Sequence, residues 1–276
     1  MVASRKYRKR LRIRPKRNHR SHKGGSKHIA VKKCICFLSV KPSKEFYEYC
    51  KTLKTADYDV YICLDDISYN IPGYDDAIPI IRVDSADAEK AGFKGSVLWT
   101  MDRACSRDKA LYHFCRIDTS YDFIWFIEDD VLVPRATTIY DIDRKYPTAD
   151  LLSKSNDISH GRHTNWHWPH IFKQMSLDPP YATSLISVIR ASKGLMKCID
   201  AHGSKNGGLF IDEALFNTLA LQNQLTTITP EEFSSIQWEE PSIQSNIQVN
   251  KIQHHKFYHP IKSMNIQEKH RKNARE

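Results

Sequence analysis

Three carboxylates stand side by side at Glu128, Asp129 and Asp130, directly after the apolar run Phe123 to Ile127. Like charges at that spacing repel, and at the end of a buried strand they are costly unless paired or metal-bound. A hard divalent cation, which takes oxygen ligands and shares them with substrate phosphates, would relieve the repulsion. An acidic strand-to-loop turn with no ion is the alternative reading. Near the C-terminus, KIQHHKFYHPIK (Lys251 to Lys262) gathers three histidines, and Pro260 biases His259 toward extended geometry. One imidazole with one or two carboxylates makes a divalent-cation site, with Lys262 as a phosphate partner. A structural or exposed histidine is the alternative there.

Other residues could serve such a centre. Asp65 and Asp66 end an apolar segment and could hold a base or ribose; a solvated loop is the competing reading. Arg103, Arg107 and Lys109 share the polar face of a helical pattern and could reach a diphosphate, or simply face water. In NWHWPH (Asn165 to His170), Trp166 and Trp168 flank His167. Flat aromatic rings could form a sugar platform, or could pack a long loop onto the sheet. Asp212 and Glu213 open an amphipathic segment reaching Leu221, where acids commonly do no more than oppose the helix dipole.

These residues need elements to position them. Strands are predicted at Ile29 to Val40, Tyr58 to Leu64, Ile78 to Val83, Phe123 to Ile127 and Tyr181 to Arg190. Helices are predicted at Ser43 to Thr52, Ser96 to Arg116, Ser192 to Ala201 and from Asp212 to Leu221, with an irregular stretch from Arg135 to Pro180. Strands that alternate with helices and finish in acids predict an α/β fold with a mainly parallel sheet, whose ligands gather at the carboxyl ends of strands.

The formal charge of +10 is a local feature. Twelve of the 42 Lys+Arg fall in residues 1–28, and no acid precedes Glu45. Positions 29–276 therefore carry 30 bases against 32 acids. Residues 1–28 are predicted to be a disordered basic tail that could contact nucleic acid, an anionic membrane or an import receptor. A merely solubilising extension is equally compatible. Seven scattered cysteines, with no C-x-x-C pair, point to buried free thiols and a reducing compartment. No stretch approaches the roughly 18 apolar residues of a membrane span, so a soluble, cytoplasmic protein is expected.

Taken together, Phe126-Ile127-Glu128-Asp129-Asp130-Val131 after a buried strand resembles the DXD-type motif of GT-A glycosyltransferases, in an EDD variant. Asp212-Glu213 resembles their catalytic-base position, and Phe257-Tyr258-His259-Pro260-Ile261-Lys262 the C-terminal His and Lys that close over a nucleotide diphosphate. The texture is similar to glycosyltransferases of microalgae and their large DNA viruses.

The resemblance implies a GT-A-like mixed, mainly parallel sheet flanked by helices in a single catalytic domain, residues 29–262. A nucleotide-binding half (29–134), an acceptor-binding half (135–262) and a polar C-terminal tail (263–276) would follow. It further implies that Asp130 binds Mn²⁺ or Mg²⁺, with Glu128 and Asp129 near the ribose or completing the coordination shell. His259 would be another ligand, Lys262 would neutralise the β-phosphate, and Asp65 or Asp66 would lie near base and ribose. Asp212 or Glu213 would take the proton from an acceptor hydroxyl. The chain departs from the pattern in having Glu at 128 and no Golgi-type anchor. The implied activity is metal-dependent transfer of a hexose or pentose from a UDP- or GDP-sugar to a hydroxyl of a glycan or glycoconjugate, with inversion.

Two other functions compete. A sugar nucleotidyltransferase could use similar architecture, although the first strand lacks a Gly-rich loop to grip a triphosphate. A non-catalytic, basic-armed nucleic-acid-binding protein rests on the tail alone, because the body has no helix-turn-helix or zinc-finger spacing.

Overall fold

Apolar runs that alternate with capped helices build one sheet from both halves of the chain. The computed structural model describes residues 31–97, 103–160, 177–238 and 252–273. The basic tail and Trp166, His167 and Trp168 lie outside the described residues.

In chain order, β1 (Lys33–Ser39) leads to α1 (Lys44–Thr52), where the Ser43 side chain accepts from the Phe46 amide. β2 (Tyr58–Leu64) and β3 (Ile80–Ile81) precede α2 (Ser85–Lys90), capped by Asp84. α3 (Ser106–Tyr112) continues as a π-helical turn, His113–Ile117, into β4 (Phe123–Glu128). Next come α4 (Ala136–Lys145), β5 (Leu151–Leu152), β6 (Asp157–Ser159), β7 (Tyr181–Thr183) and β8 (Val188–Ser192). α5 (Lys193–Asn206) and α6 (Asp212–Gln222) follow, then β9 (Thr227–Ile228) and β10 (Ser235–Ile236). β11 (Tyr258–His259) and α7 (Met264–Asn273) end the described chain.

The main sheet has seven strands in the order β3-β2-β1-β4-β8-β5-β9. β8 runs against both of its neighbours, and the remaining pairings are parallel. The described residues from Val31 onward form one compact unit. The sheet is thus mixed and mostly parallel, flanked by helices. Side chains alternate between its faces with period two. Ile124 and Phe126 join one core cluster, Trp125 and Ile127 the other. That is why the run Phe123 to Ile127 is apolar at every position.

Register decides what meets at the sheet's edge. Leu38 pairs with Glu128 and Ser39 with Leu64, so the carboxyl ends of β1, β2 and β4 lie side by side. Because β8 is antiparallel, its beginning falls at that same edge, and the Glu128 amide donates to the Ser187 carbonyl at 3.0 Å.

The segment from Ser96 to Arg116 is not one helix: α3 starts only at Ser106. Asp108 accepts from the Ser96 and Cys105 amides and sets the helix start with Cys105 as cap, an unusual capping residue. Tyr181 to Arg190 is not one strand either. β7 pairs with β6 in a separate two-stranded sheet, and the Ser184 amide between β7 and β8 bonds the Glu213 carbonyl at 2.8 Å. The stretch Arg135 to Pro180, read as irregular, contains α4, β5 and β6; α4 buries Ile139 and Ile142 one turn apart. Residues 263–276, read as a polar tail, contain α7, which buries Gln267, His270 and Arg271 and packs Met264 and Ile266 partly against the core, too weak an apolar pattern to mark a helix.

One buried ion pair fastens α4 to the sheet. Arg190 of β8, fully buried, donates to Asp143 at 2.5 Å and to the Tyr146 and Ala149 carbonyls at 2.6 and 2.9 Å. Asp143 also accepts from the Tyr58 hydroxyl and lies 3.3 Å from Lys33 Nζ. Removing one partner of such a pair strands a buried charge, which typically costs about 3–5 kcal/mol. Asp143→Ala should therefore lower the unfolding free energy in urea by that order at pH 7, whereas an exposed-pair variant such as Asp141→Ala should change it by less than about 1 kcal/mol.

Candidate functional site

Glu128 ends β4, and the chain then turns, with the Val131 amide donating to the Glu128 carbonyl at 3.1 Å. Beyond the turn Leu132 pairs antiparallel with Tyr258, and the Ile261 amide donates to the Asp130 carbonyl at 2.7 Å. These backbone bonds bring the C-terminal segment across the acids. His259 Nε2 comes to lie 3.7 Å from Glu128 and 3.4 Å from Asp130. Its Nδ1 lies 2.8 Å from the Gln237 carbonyl, so Nδ1 carries the proton and Nε2 faces the carboxylates. Ser187 Oγ sits 3.1 Å from the same Nε2. Burial disfavours the charged imidazole, but Asp130 and Glu128 outweigh it and hold the pKa above its ordinary value.

Ligand atoms of Glu128, Asp130 and His259 all lie within 4.8 Å of one another and could hold a divalent cation. The donor set of two carboxylates and one imidazole suits a divalent cation without selecting which one. One further observation fits: Asp130 Oδ1 is buried without a hydrogen-bond partner among the described residues. Such an oxygen is costly unless it pairs with the His259 imidazolium 3.4 Å away or with a cation from outside the chain.

Asp129 is turned away from this trio. Its Oδ2 accepts from Ser39 Oγ at 2.5 Å, and its carbonyl accepts from Gln267 of α7 at 2.9 Å. Burial lifts its pKa, with the Ser39 bond opposing. Lys262 is exposed, three residues past His259.

The two basic residues on α3 are buried rather than solvated. Arg107, with its side chain 4% exposed, bridges Glu128 Oε1 through Nη2 at 2.7 Å and Asp212 Oδ2 through Nε at 2.8 Å. Lys109 Nζ donates to the Asp65 carbonyl at 2.5 Å and lies 4.0 Å from its carboxylate. Asp65, Asp66, Ser85, Arg103, Cys105 and Lys109 line a cavity of about 510 Å³ beyond the carboxyl end of β2. The sequence candidates Asp65, Asp66 and Lys109 thus share one cavity, while Arg107 ties the acid cluster to α6.

Asp212 and Glu213 differ although they are neighbours. Both Asp212 oxygens are engaged, one by Arg107 and the other by the Glu213 amide at 2.9 Å. Glu213 Oε2 is buried without a hydrogen-bond partner among the described residues. Its side chain lines a second cavity of about 270 Å³ with Lys154, Asp157, Thr183, Gln237 and Trp238. Burial lifts the Asp212 carboxyl to about 7 against the opposing pull of Arg107. Burial, and then the charge of Asp212, lift Glu213 to about 8. A carboxyl lifted to about 8 is protonated at neutral pH and becomes a proton acceptor as pH rises through that value.

Sequence reading missed Ser187, Gln237 and Trp238. The first two act through antiparallel placement and a backbone carbonyl, which leave no mark in composition. Trp238, a lone indole in the polar stretch Ile236 to Pro241, was a usable signal. Among the described residues, no helix is long and apolar enough to cross a membrane. Comparison with known proteins yields no matching family model and no matching curated protein.

Glu213 also sets a pH dependence. The folded state keeps its proton up to about pH 8, whereas the unfolded carboxyl loses it near the ordinary glutamate value of 4.5. Between those limits the folded state binds more protons, so stability falls as pH rises. Measured by urea unfolding in EDTA from pH 5 to 8.5, Glu213→Gln should flatten that fall and be more stable than the parent at pH 8.5, by about 1–3 kcal/mol.

Proposed function

We propose that this chain is a metal-dependent glycosyltransferase that moves a sugar from a nucleoside-diphosphate sugar to a hydroxyl of a glycan or glycoconjugate. The observation that carries the reading is the convergence of Glu128, Asp130 and His259, from distant parts of the chain, with their ligand atoms within 4.8 Å of one another. A cation held there would be a Lewis acid for the negative charge that grows on a departing diphosphate. The chain's own residues take the remaining roles. Arg107 holds Glu128 in place and keeps one positive charge between the two acidic groups. The cavity bounded by Asp65, Asp66 and Lys109 offers acceptors for ribose and base hydrogens, with Arg103 as a further cation. Glu213 in its ionised form, rather than the fully engaged Asp212, accepts the proton of the acceptor hydroxyl.

One base placed apart from the diphosphate side favours direct displacement, and so inversion at the anomeric carbon. The seven free cysteines, four of them buried, suit a reducing compartment such as the cytoplasm.

Thermal unfolding with a panel of UDP- and GDP-sugars, with and without Mn²⁺, tests this reading. A donor present at about 100 times its Kd should add about 2.7 kcal/mol of stability, and only when Mn²⁺ is present. Asp130→Asn should abolish the Mn²⁺-dependent increment and lower donor turnover by about two orders of magnitude or more. Failure of every donor to stabilise or turn over with Mn²⁺ rejects the proposal. Pyrophosphate release from a nucleoside triphosphate and a sugar phosphate would point instead to nucleotidyl transfer.

A further inference from the structure

We infer that the cavity lined by Glu213 and Trp238 is an acceptor subsite for a single pyranose ring, with the Trp238 indole as its stacking platform. Its role as acceptor site rests on the proposed transfer chemistry; its capacity to bind a sugar does not.

Trp238 is 61% exposed and stands two residues past the end of β10, although leaving so large an apolar ring in water forgoes burial energy. It is set in a cavity with a mixed lining, where Leu185 and Ile236 stand beside the polar Lys154, Asp157, Thr183 and Gln237. A pyranose has the complementary chemistry, with a flat C–H face for the indole and hydroxyls around its edge for donors and acceptors. At about 270 Å³ the cavity lies just below the roughly 300–1,000 Å³ of drug-sized sites, which suits one ring better than an oligosaccharide.

The cavity is preorganised. Asn217 of α6 donates to Ser153 Oγ, the Ser155 carbonyl and Asn156 Oδ1 at 3.1, 3.0 and 2.9 Å, fixing the loop that forms one wall. The Ser155 amide donates to Ser184 Oγ at 2.9 Å, and the Ser184 amide to the Glu213 carbonyl at 2.8 Å. Lys154 Nζ donates to the Ser234 carbonyl at 3.0 Å, closing the wall against the chain that leads into β10. These bonds hold the pocket's polar groups before any ligand arrives, which lowers the ordering cost of binding.

The cavity is also anchored to the acid cluster. Gln237 contributes to its wall while its carbonyl orients His259, and β10 pairs with β11 through Ile236 and His259. The indole therefore stands one residue from the peptide that aims the histidine. A ring stacked on it would present a hydroxyl to Glu213 Oε2, the buried oxygen that no described residue satisfies.

Ligand-observed NMR on the full chain, without donor or metal, tests the inference with methyl α- and β-glycosides of glucose, galactose, mannose and xylose. At least one glycoside should bind the parent at millimolar concentration. Its affinity should fall roughly tenfold or more in Trp238→Ala and be largely kept in Trp238→Phe, which retains an aromatic face. Unfolding curves should show both variants folded, since the side chain is exposed. Binding undiminished in Trp238→Ala, or no glycoside binding to the parent, overturns the inference. Mn²⁺-dependent hydrolysis of UDP- and GDP-sugars by the parent is read alongside. Absence of both hydrolysis and Mn²⁺-dependent stabilisation by every donor, while Trp238-dependent glycoside binding persists, supports the subsite and rejects the transferase.

Discussion

A single buried guanidinium keeps two groups of carboxylates from pushing the sheet's edge apart. Arg107 reaches Glu128 with one nitrogen and Asp212 with another, at 2.7 and 2.8 Å, from a side chain almost wholly withdrawn from water. Without that charge, Glu128, Asp130, Asp212 and Glu213 would each meet like-charged neighbours in a region of low dielectric, where repulsion is strong. Arginine suits the task because its planar fork donates in several directions and it stays charged when buried. The acids can thus remain close enough to share a ligand while the helix α6 that carries two of them stays docked.

The edge itself is a product of topology. Parallel pairing aligns the ends of β1, β2 and β4, and reversal of β8 returns Ser187 to the place where β4 stops. A short bridge from Leu132 to Tyr258 then draws the last segment over the turn. α7 completes the support: Gln267 donates to the carbonyls of Asp129 and Ile261 at 2.9 and 2.8 Å, bracing the acid turn and the histidine strand together. Its buried face is polar, and the backbone groups it satisfies would otherwise be left without partners.

Neighbouring acids acquire different characters because backbone direction separates them. Asp129 turns to Ser39 while Asp130 turns to His259. Asp212 is saturated by Arg107 and the Glu213 amide, whereas Glu213 keeps an oxygen free at a cavity wall. In each pair one carboxylate is structural and the other is available, and only the available one figures in the proposed chemistry.

Strand β2 was legible to the residue from its apolar run, and α1 from Ser43 with Glu45 behind it, because local periodicity and capping are short-range effects. The acid run after β4 and the acids opening α6 were likewise readable as candidates, since position in the chain placed them at the ends of elements. Sequence did not foretell that Arg107 and Lys109 would be buried, since a helical polar face looks the same whether it meets water or carboxylates. Nor did it show α7, which docks through the buried Gln267 and Arg271 with Met264 and Ile266 only partly buried beside them. The types of side chain at the site, and the strands that carry them, were determined by sequence alone. Which of two adjacent carboxylates faces the histidine, and which tryptophan stands beside Glu213, were decided only by strand register and by hydrogen bonds between segments far apart in the chain, which no local pattern encodes.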